Sequence, residues 1–86
     1  MKTPIKQKIL EYTAIFEPAE EGGYVVSVPA LPGCLTQGET FEESVSMVKD
    51  AIEGYIAVLK DLGKEIPKER GDIVVTKVSV QNPSFI

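Results

Sequence analysis

Side chains that commonly do chemistry are scarce in this sequence of 86 residues. It contains no histidine, which removes the commonest general base near neutral pH and the commonest metal ligand. The single cysteine, Cys34, follows Gly33 and has no cationic neighbour in sequence that would lower its pKa, so a small buried apolar residue is the favoured interpretation. One cysteine also excludes an internal disulfide and a zinc–thiolate cluster within the chain.

Carboxylates remain the alternative for metal-dependent phosphoryl transfer, which requires several acids to converge on one site. Glu11 and Glu17 share one face of a predicted strand, but six residues separate them, about 20 Å. Asp50 and Glu53 are neighbours on the outward side of a predicted helix. The glycines match neither a P-loop nor a dinucleotide-binding fingerprint. We therefore predict no catalytic, metal or cofactor site, and a protein that is not an enzyme.

Negative charge is concentrated in one short segment of a chain whose net charge is −4. Between Glu39 and Glu53 lie five acids and one base, Lys49, whereas the rest of the chain carries eight acids and eight bases. Such a patch would attract a basic partner, and a solvated helix face is the alternative interpretation. The predicted partner-binding residues are Glu39, Glu42, Glu43, Asp50 and Glu53.

The sequence does not favour nucleic-acid binding or membrane insertion. An acidic chain lacks the basic face that displaces counterions from nucleic acid, and no apolar run approaches the roughly 20 residues of a membrane span. The first residues lack the apolar stretch of a secretory signal, so the cytoplasm is the expected location. Residues 1–8, with Lys2, Lys6 and Lys8, are predicted to form a flexible solvated tail rather than a nucleic-acid contact.

Three short β-rich runs precede the clearest element of the sequence. Residues 9–17 alternate apolar and polar side chains as a half-buried strand does, and residues 24–28 form a second run. The intervening Gly22 and Gly23 predict an antiparallel hairpin. Residues 35–37 predict a short third strand. The inward-facing positions of the first run are Leu10, Tyr12, Ala14 and Phe16.

A long amphipathic helix is predicted to begin after Thr40. Thr40 and Glu43 form a capping box, in which the threonine hydroxyl accepts from the amide of residue 43 and the Glu43 carboxylate reaches the amide of residue 40. Gly63 is placed to end the helix in a left-handed conformation, and Pro67 lies just beyond. The apolar face consists of Phe41, Val45, Val48, Ile52, Tyr55, Ile56, Leu59 and Leu62.

Residues 72–80 predict a final strand, and residues 81–86 a C-terminal tail. The order of elements is therefore β-β-β-α-β, in which one helix covers one face of a mostly antiparallel sheet. This pattern predicts an α+β two-layer sandwich. At this length, residues 1–86 are expected to form a single domain.

Several motifs between residues 22 and 67 occur together at characteristic spacing. They are Gly-Gly-Tyr-Val-Val-Ser-Val-Pro at 22–29, Leu31-Pro32-Gly33-Cys34, Gly38-Glu39-Thr40, Glu43, Ala51, Gly63 and Ile66-Pro67. With these motifs, which span about half of the chain, the sequence resembles the HicB-like antitoxin family. Ala30 and Ser44 depart from the acid and the alanine that family members often carry. The structural motif consists of Pro29, Leu31, Pro32, Gly33, Cys34, Gly38, Thr40, Gly63 and Pro67.

The resemblance implies a partial ribonuclease H-like fold without the catalytic acids. It also implies an antitoxin that neutralises a HicA-type toxin by direct protein–protein contact. HicA-type toxins are small proteins similar to double-stranded-RNA-binding domains and cleave mRNA with a histidine, so such a partner must present a basic surface. Many family members continue into a DNA-binding domain. Because six residues follow Val80, no direct DNA binding is expected from this chain alone.

The alternative function is that of a stand-alone homo-oligomeric HicB-like domain that binds another protein or ligand. Self-association, as a homodimer or a higher oligomer, is expected in either case, because one helix on a small sheet leaves a strand edge and a sheet face uncovered. Ile15, Val25 and the apolar residues of 73–80 are the predicted self-association patch.

Overall fold

Three strands and one long helix make up the regular structure of residues 9–83, which the computed structural model describes. The elements are β1 (Ile15–Pro18), β2 (Tyr24–Ser27), β3 (Leu35–Gly38) and α1 (Phe41–Asp61). The predicted α+β class and the β-β-β-α order are confirmed. The predicted tail 1–8, and residues 84–86 of the predicted tail 81–86, lie outside the described residues.

The strands form one antiparallel sheet in the order β1-β2-β3. The predicted hairpin is present, but its first strand begins at Ile15 rather than at Ile9. The register that pairs Ile15 with Ser27 would place Thr13 opposite Pro29. Proline has no amide hydrogen to donate, so the ladder cannot continue, although the apolar alternation extends further toward the N-terminus.

The prediction of a final strand at residues 72–80 is wrong for the described structure. Within residues 9–83, the segment 72–80 pairs with no strand, and Val74, Val75, Val78 and Val80 are 76–84% exposed. β-branched residues favour strand conformation, but a strand also requires a neighbour with free hydrogen-bonding groups. The sequence pattern reports the first of these conditions and not the second.

The core lies between α1 and the β2–β3 half of the sheet. The helix packs across β3 and β2, and its first residue, Phe41, also contacts Phe16 of β1, with 4.9 Å between the ring centroids. Tyr12, Ala14 and Phe16, predicted to face inward, pack against the core. The buried apolar residues are Val26, Val28, Ala30, Leu31, Cys34 and Val48.

Candidate functional site

Two consecutive turns shape the loop between β2 and β3. The Leu31 amide donates to the Val28 carbonyl (3.0 Å), and the Cys34 amide donates to the Leu31 carbonyl (2.9 Å). Pro32 and Gly33 occupy the two central positions of the second turn. The φ of 82° at Gly33 is the positive value that a type II turn requires at its third residue. The Pro32 carbonyl accepts from the Tyr55 hydroxyl at 2.9 Å, so this loop is fastened to the helix.

Cys34 is buried in this loop with 6% of its surface exposed. Burial raises the pKa of its thiol, because the thiolate would lose its hydration. A raised pKa opposes formation of the nucleophilic thiolate. The position is therefore suited to packing, which is the interpretation that the sequence favours.

Both ends of α1 are capped by local hydrogen bonds. The Thr40 hydroxyl accepts from the Glu43 amide at 3.0 Å. The Glu43 carboxylate accepts from the amide of Glu39 rather than from that of residue 40, also at 3.0 Å. It therefore reaches one residue further back than the capping box predicts, to the amide that precedes the N-cap.

The C-terminal end of α1 forms a Schellman motif. Gly63 has a φ of 68°, and its amide donates to the Lys60 carbonyl at 3.0 Å. The amide of Lys64 donates to the Leu59 carbonyl at 2.8 Å. Gly63 thus occupies the left-handed position that its place in the sequence predicts.

The predicted partner-binding acids are all exposed, and those of the helix lie on one side of it. At 100° per residue, Glu42, Glu43, Asp50 and Glu53 fall within an arc of about 100°. This acidic face extends about 17 Å along the axis from Glu42 to Glu53. Within residues 9–83, none of its carboxylates forms an ion pair. The structure therefore brings these residues to one surface, with Glu39 just before the helix.

Two shallow grooves flank the helix, and sequence reasoning did not anticipate them. The β1-side groove, of about 680 Å³, lies between residues 10–14 and α1, and the β3-side groove, of about 470 Å³, lies between residues 33–35 and α1. Apart from Ala57, the apolar residues of α1 spread over about half of its circumference, from Met47 round to Ile56. A three-stranded sheet cannot cover so wide an arc. The width of the apolar arc is therefore the feature of the sequence that predicts grooves beside the helix.

A pair of long-range contacts ties the segment after the helix to the residues before β1. The Tyr12 hydroxyl donates to the Pro67 carbonyl at 2.6 Å. The Glu69 carboxylate accepts from the Thr13 amide at 3.0 Å and from its hydroxyl. Burial, reinforced by the charge of Glu69, raises the pKa of Tyr12, which keeps its phenol a donor. Sequence reasoning gave Pro67 only a helix-stopping role, because partners 55 residues apart leave no local pattern.

The Glu69 contact should make stability depend on pH. Hydrogen bonds from the Thr13 hydroxyl and then from its amide hold the pKa of Glu69 below its ordinary value of 4.5. A lowered folded pKa contributes stability above the unfolded pKa, and this contribution is lost as pH falls through the folded pKa. We expect Glu69→Gln to lower the free energy of unfolding in urea at pH 7, and the deficit to disappear in strongly acidic solution.

Glu65→Gln is the matched control for this prediction. Glu65 is an exposed carboxylate in the same loop and accepts no side-chain hydrogen bond among the described residues. Its replacement should leave the pH profile of unfolding close to that of the parent chain. Equal profiles for all three proteins between pH 3 and pH 7 would show that the Thr13 contact does not stabilise the fold.

Neither a metal cluster nor a membrane span occurs in the described part of the chain. No group of three or more His, Cys, Asp or Glu side chains in residues 9–83 is arranged to hold a metal ion. Glu11, Glu17, Asp50 and Glu53, the acids considered for catalysis, are each exposed. The helix found there is not long and apolar enough to cross a bilayer.

The class that fold and site define is a small α+β domain with an exposed acidic helix face. The family model described as the HicB-like antitoxin of bacterial toxin–antitoxin systems matches residues 12–85. This chain belongs to that family.

Relatives of similar length and a longer antitoxin both resemble the chain. A UPF0150 protein of Thermoplasma acidophilum is 46% identical over 63 residues, 73% of this chain and 91% of its own length. A UPF0150 protein of Synechocystis is 38% identical over 78 residues, 91% of this chain and 96% of its own length. "Antitoxin HicB 1" of Photorhabdus laumondii is 51% identical over 45 residues, 52% of this chain but 29% of its own.

Proposed function

We propose that this protein is an antitoxin that neutralises a HicA-type, mRNA-cleaving toxin by direct protein–protein contact. The observation that carries the proposal is the family match over residues 12–85, to which the similarity to Antitoxin HicB 1 adds support. In this proposal the chain binds and does no chemistry of its own. It acts in the cytoplasm as a single domain of residues 1–86.

The acidic face of α1 supplies the electrostatic part of the proposed contact. An enzyme that cleaves RNA must hold a polyanion, so it presents a basic surface to solvent. Carboxylates spread over about 17 Å of one helix face and free of ion pairs within residues 9–83 are complementary to such a surface. Docking there would exclude RNA both by occupying the surface and by charge.

Charge reversal on the acidic face should slow association with the toxin. We expect the combined change Glu42→Lys, Asp50→Lys and Glu53→Lys to lower the association rate constant by about tenfold or more at low salt. The remaining rate should depend less on ionic strength, because the attraction between unlike charges is gone. Stopped-flow mixing with the purified product of the neighbouring gene, over a series of salt concentrations, measures both effects.

A second triple variant controls for net charge. Glu20→Lys, Glu21→Lys and Glu65→Lys changes the charge by the same amount at exposed positions outside α1. If the acidic face is the contact, this control should associate at a rate close to that of the parent chain. Equal slowing by both variants would indicate non-specific attraction, and an unchanged rate for the first would place the interface elsewhere.

The absence of catalysis has its own test. Purified protein with Mg²⁺ or Mn²⁺ should cleave neither RNA nor DNA above the background of a mock purification. Metal-dependent cleavage that disappears on replacing Asp50 or Glu53 would overturn this part of the proposal and support ribonuclease H-like chemistry.

A second candidate function is a stand-alone homo-oligomeric domain that binds another protein or ligand. The four exposed valines after residue 73 favour self-association. The neighbouring reading frame distinguishes the two functions. A small, basic product that contains histidine supports the antitoxin, whereas no such gene and no basic protein that copurifies support the alternative.

A further inference from the structure

The segment 73–83, called the arm below, carries apolar side chains that the rest of the described chain leaves uncovered. Val74, Val78 and Val80 are 78–84% exposed and occupy alternate positions, so in a strand they would share one face. Ile73, Val75, Lys77 and Ser79 would lie on the opposite face. This alternation is the pattern of a strand that is buried on one side.

The outer edge of β1 is open to receive a strand. The Ala19 amide donates to the Gly23 carbonyl at 3.0 Å, which fixes the alternation of hydrogen-bonded pairs along the hairpin. By that alternation, the backbone N–H and C=O groups of Ile15 and Glu17 form hydrogen bonds with β2. The N–H and C=O groups of Phe16 point away from β2. Within residues 9–83, β2 is the only strand that pairs with β1.

The β1-side groove lies against the same edge. Its floor combines apolar residues before β1 and on α1 with four charged residues, Glu11, Lys49, Glu53 and Lys60. The apolar lining includes Leu10, Ala14, Val45, Ile52 and Ile56. A strand added at this edge would bring every second side chain onto that floor.

The arm begins beside this edge and yet does not pair with it. Glu69 is fastened to Thr13, two residues before β1. A turn at residues 71–72 follows, and an ion pair at 3.5 Å between Arg70 and Asp72 spans it. The chain therefore leaves the anchor through a short turn, after which Val74 and the residues that follow are exposed.

We propose that two copies of this chain exchange arms, so that the arm of each copy forms the missing strand beside β1 of the other and fills its β1-side groove. The lengths agree, since residues 73–80 span about 26 Å as a strand and the edge from Leu10 to Pro18 about 30 Å. Both halves of the contact belong to the same sequence, so a two-fold dimer satisfies both edges and both arms.

A second copy fits better than a different protein. A toxin strand on the β1 edge would leave the arm exposed, and a toxin that covered the arm would leave the edge unpaired. Reciprocal exchange covers both at once and brings six valines per dimer, three from each arm, onto the grooves. Of the acidic face, only Glu53 lines the β1-side groove among the described residues. The proposal is argued from the arm, the edge and the groove, so it does not depend on the proposed antitoxin function.

Matched substitutions test the arm and the groove separately. Val78→Asp charges the apolar side of the arm, and Ser79→Asp charges its other side. Ala57→Asp charges the groove, and Val58→Asp, at the next position of the helix, charges a residue of the β3-side groove. For the purified chain at about 10 µM, light scattering should give a dimer for the parent, S79D and V58D. The dimers of V78D and A57D should dissociate, because the Kd of dimerisation is raised roughly thirtyfold or more.

Mixing the two weakened variants distinguishes exchange from other dimers. V78D retains an intact groove and A57D an intact arm, so a mixed dimer contains one undamaged arm–groove pair. Native mass spectrometry of the mixture should therefore show heterodimer in excess of either homodimer. Each protein should keep the far-ultraviolet circular dichroism of the parent, which excludes unfolding as the cause of dissociation.

Three results would overturn the proposal. A monomeric parent chain at 10 µM would mean that the arm folds onto its own β1 or stays free. A V78D variant that remains as dimeric as S79D would place the interface away from the arm. Dissociation of both variants without recovery on mixing would mean that arm and groove do not meet across the dimer. None of these results involves the toxin, so they leave the proposed function unaffected.

Discussion

Replacing Gly38 by alanine should lower the free energy of unfolding by about 2–3 kcal/mol, near the upper end of the usual cost of overpacking. A Cβ atom at this position would lie 2.7 Å from the amide nitrogen and 2.8 Å from the Cα of Ser44. Both are backbone atoms of the first helical turn and cannot rotate away. Because Ser44 is fully buried, relief requires that α1 move off the end of β3.

The loss would be a large share of the total stability. A chain of this size is stabilised by roughly 4–13 kcal/mol. Urea denaturation of Gly38→Ala, at a fixed protein concentration and with an unchanged slope, measures the effect. The matched control is Gly54→Ala, also a change from glycine to alanine, where a Cβ meets nothing within 4 Å. Alanine in a helix interior should stabilise the fold there by about 1 kcal/mol.

Opposite signs for the two variants would assign the Gly38 effect to the contact with Ser44. A loss below 0.5 kcal/mol for Gly38→Ala would show that the helix can shift at little cost. The contact matters for the proposed interface, because Glu39 and Thr40 follow Gly38 directly and lead into the acidic face. Displacing the helix start would displace that surface with it.

Local chemistry allowed the helix to be predicted almost completely. Thr40 and Gly63 set its ends through hydrogen bonds to residues three or four positions away, and such patterns are visible in sequence. The acidic face is equally local, since spacing along a regular helix fixes which side chains share a side. That these acids bind a partner is a separate matter, and it stays a prediction.

What could not be predicted depends on distant partners. Residues 9–14 have the alternation of a strand, but Pro29, opposite Thr13 in the register, ends the ladder. Residues 72–80 have the composition of a strand without a partner in the described chain. The Tyr12–Pro67 contact joins positions 55 residues apart. Composition and periodicity describe what a segment favours, whereas pairing depends on what the rest of the fold brings near it.

Leu31 stabilises the loop between β2 and β3 in two ways, through its backbone and through its side chain. Its amide closes the first turn of the loop, its carbonyl closes the second, and its side chain is fully buried in the core. Leu31→Ala should lower the free energy of unfolding by about 2–5 kcal/mol, because it removes buried methyl groups and leaves a cavity behind. The backbone turns need no side chain, so their hydrogen bonds would survive, and the loss would come from packing.

Leu35→Ala is the matched control, because it makes the same substitution at an exposed position. Leu35 lies at the start of β3 with 65% of its surface exposed, so the same substitution there removes few buried contacts and should cost well under 1 kcal/mol. Equal losses of unfolding free energy for the two variants in urea denaturation would show that the loop is not part of the core.

The Leu31→Ala variant also tests the proposed function. At temperatures where Leu31→Ala remains folded, it should bind the toxin at the parent rate, since the acidic face is untouched. Near its lowered melting temperature, protection against the toxin should fall in proportion to the folded fraction.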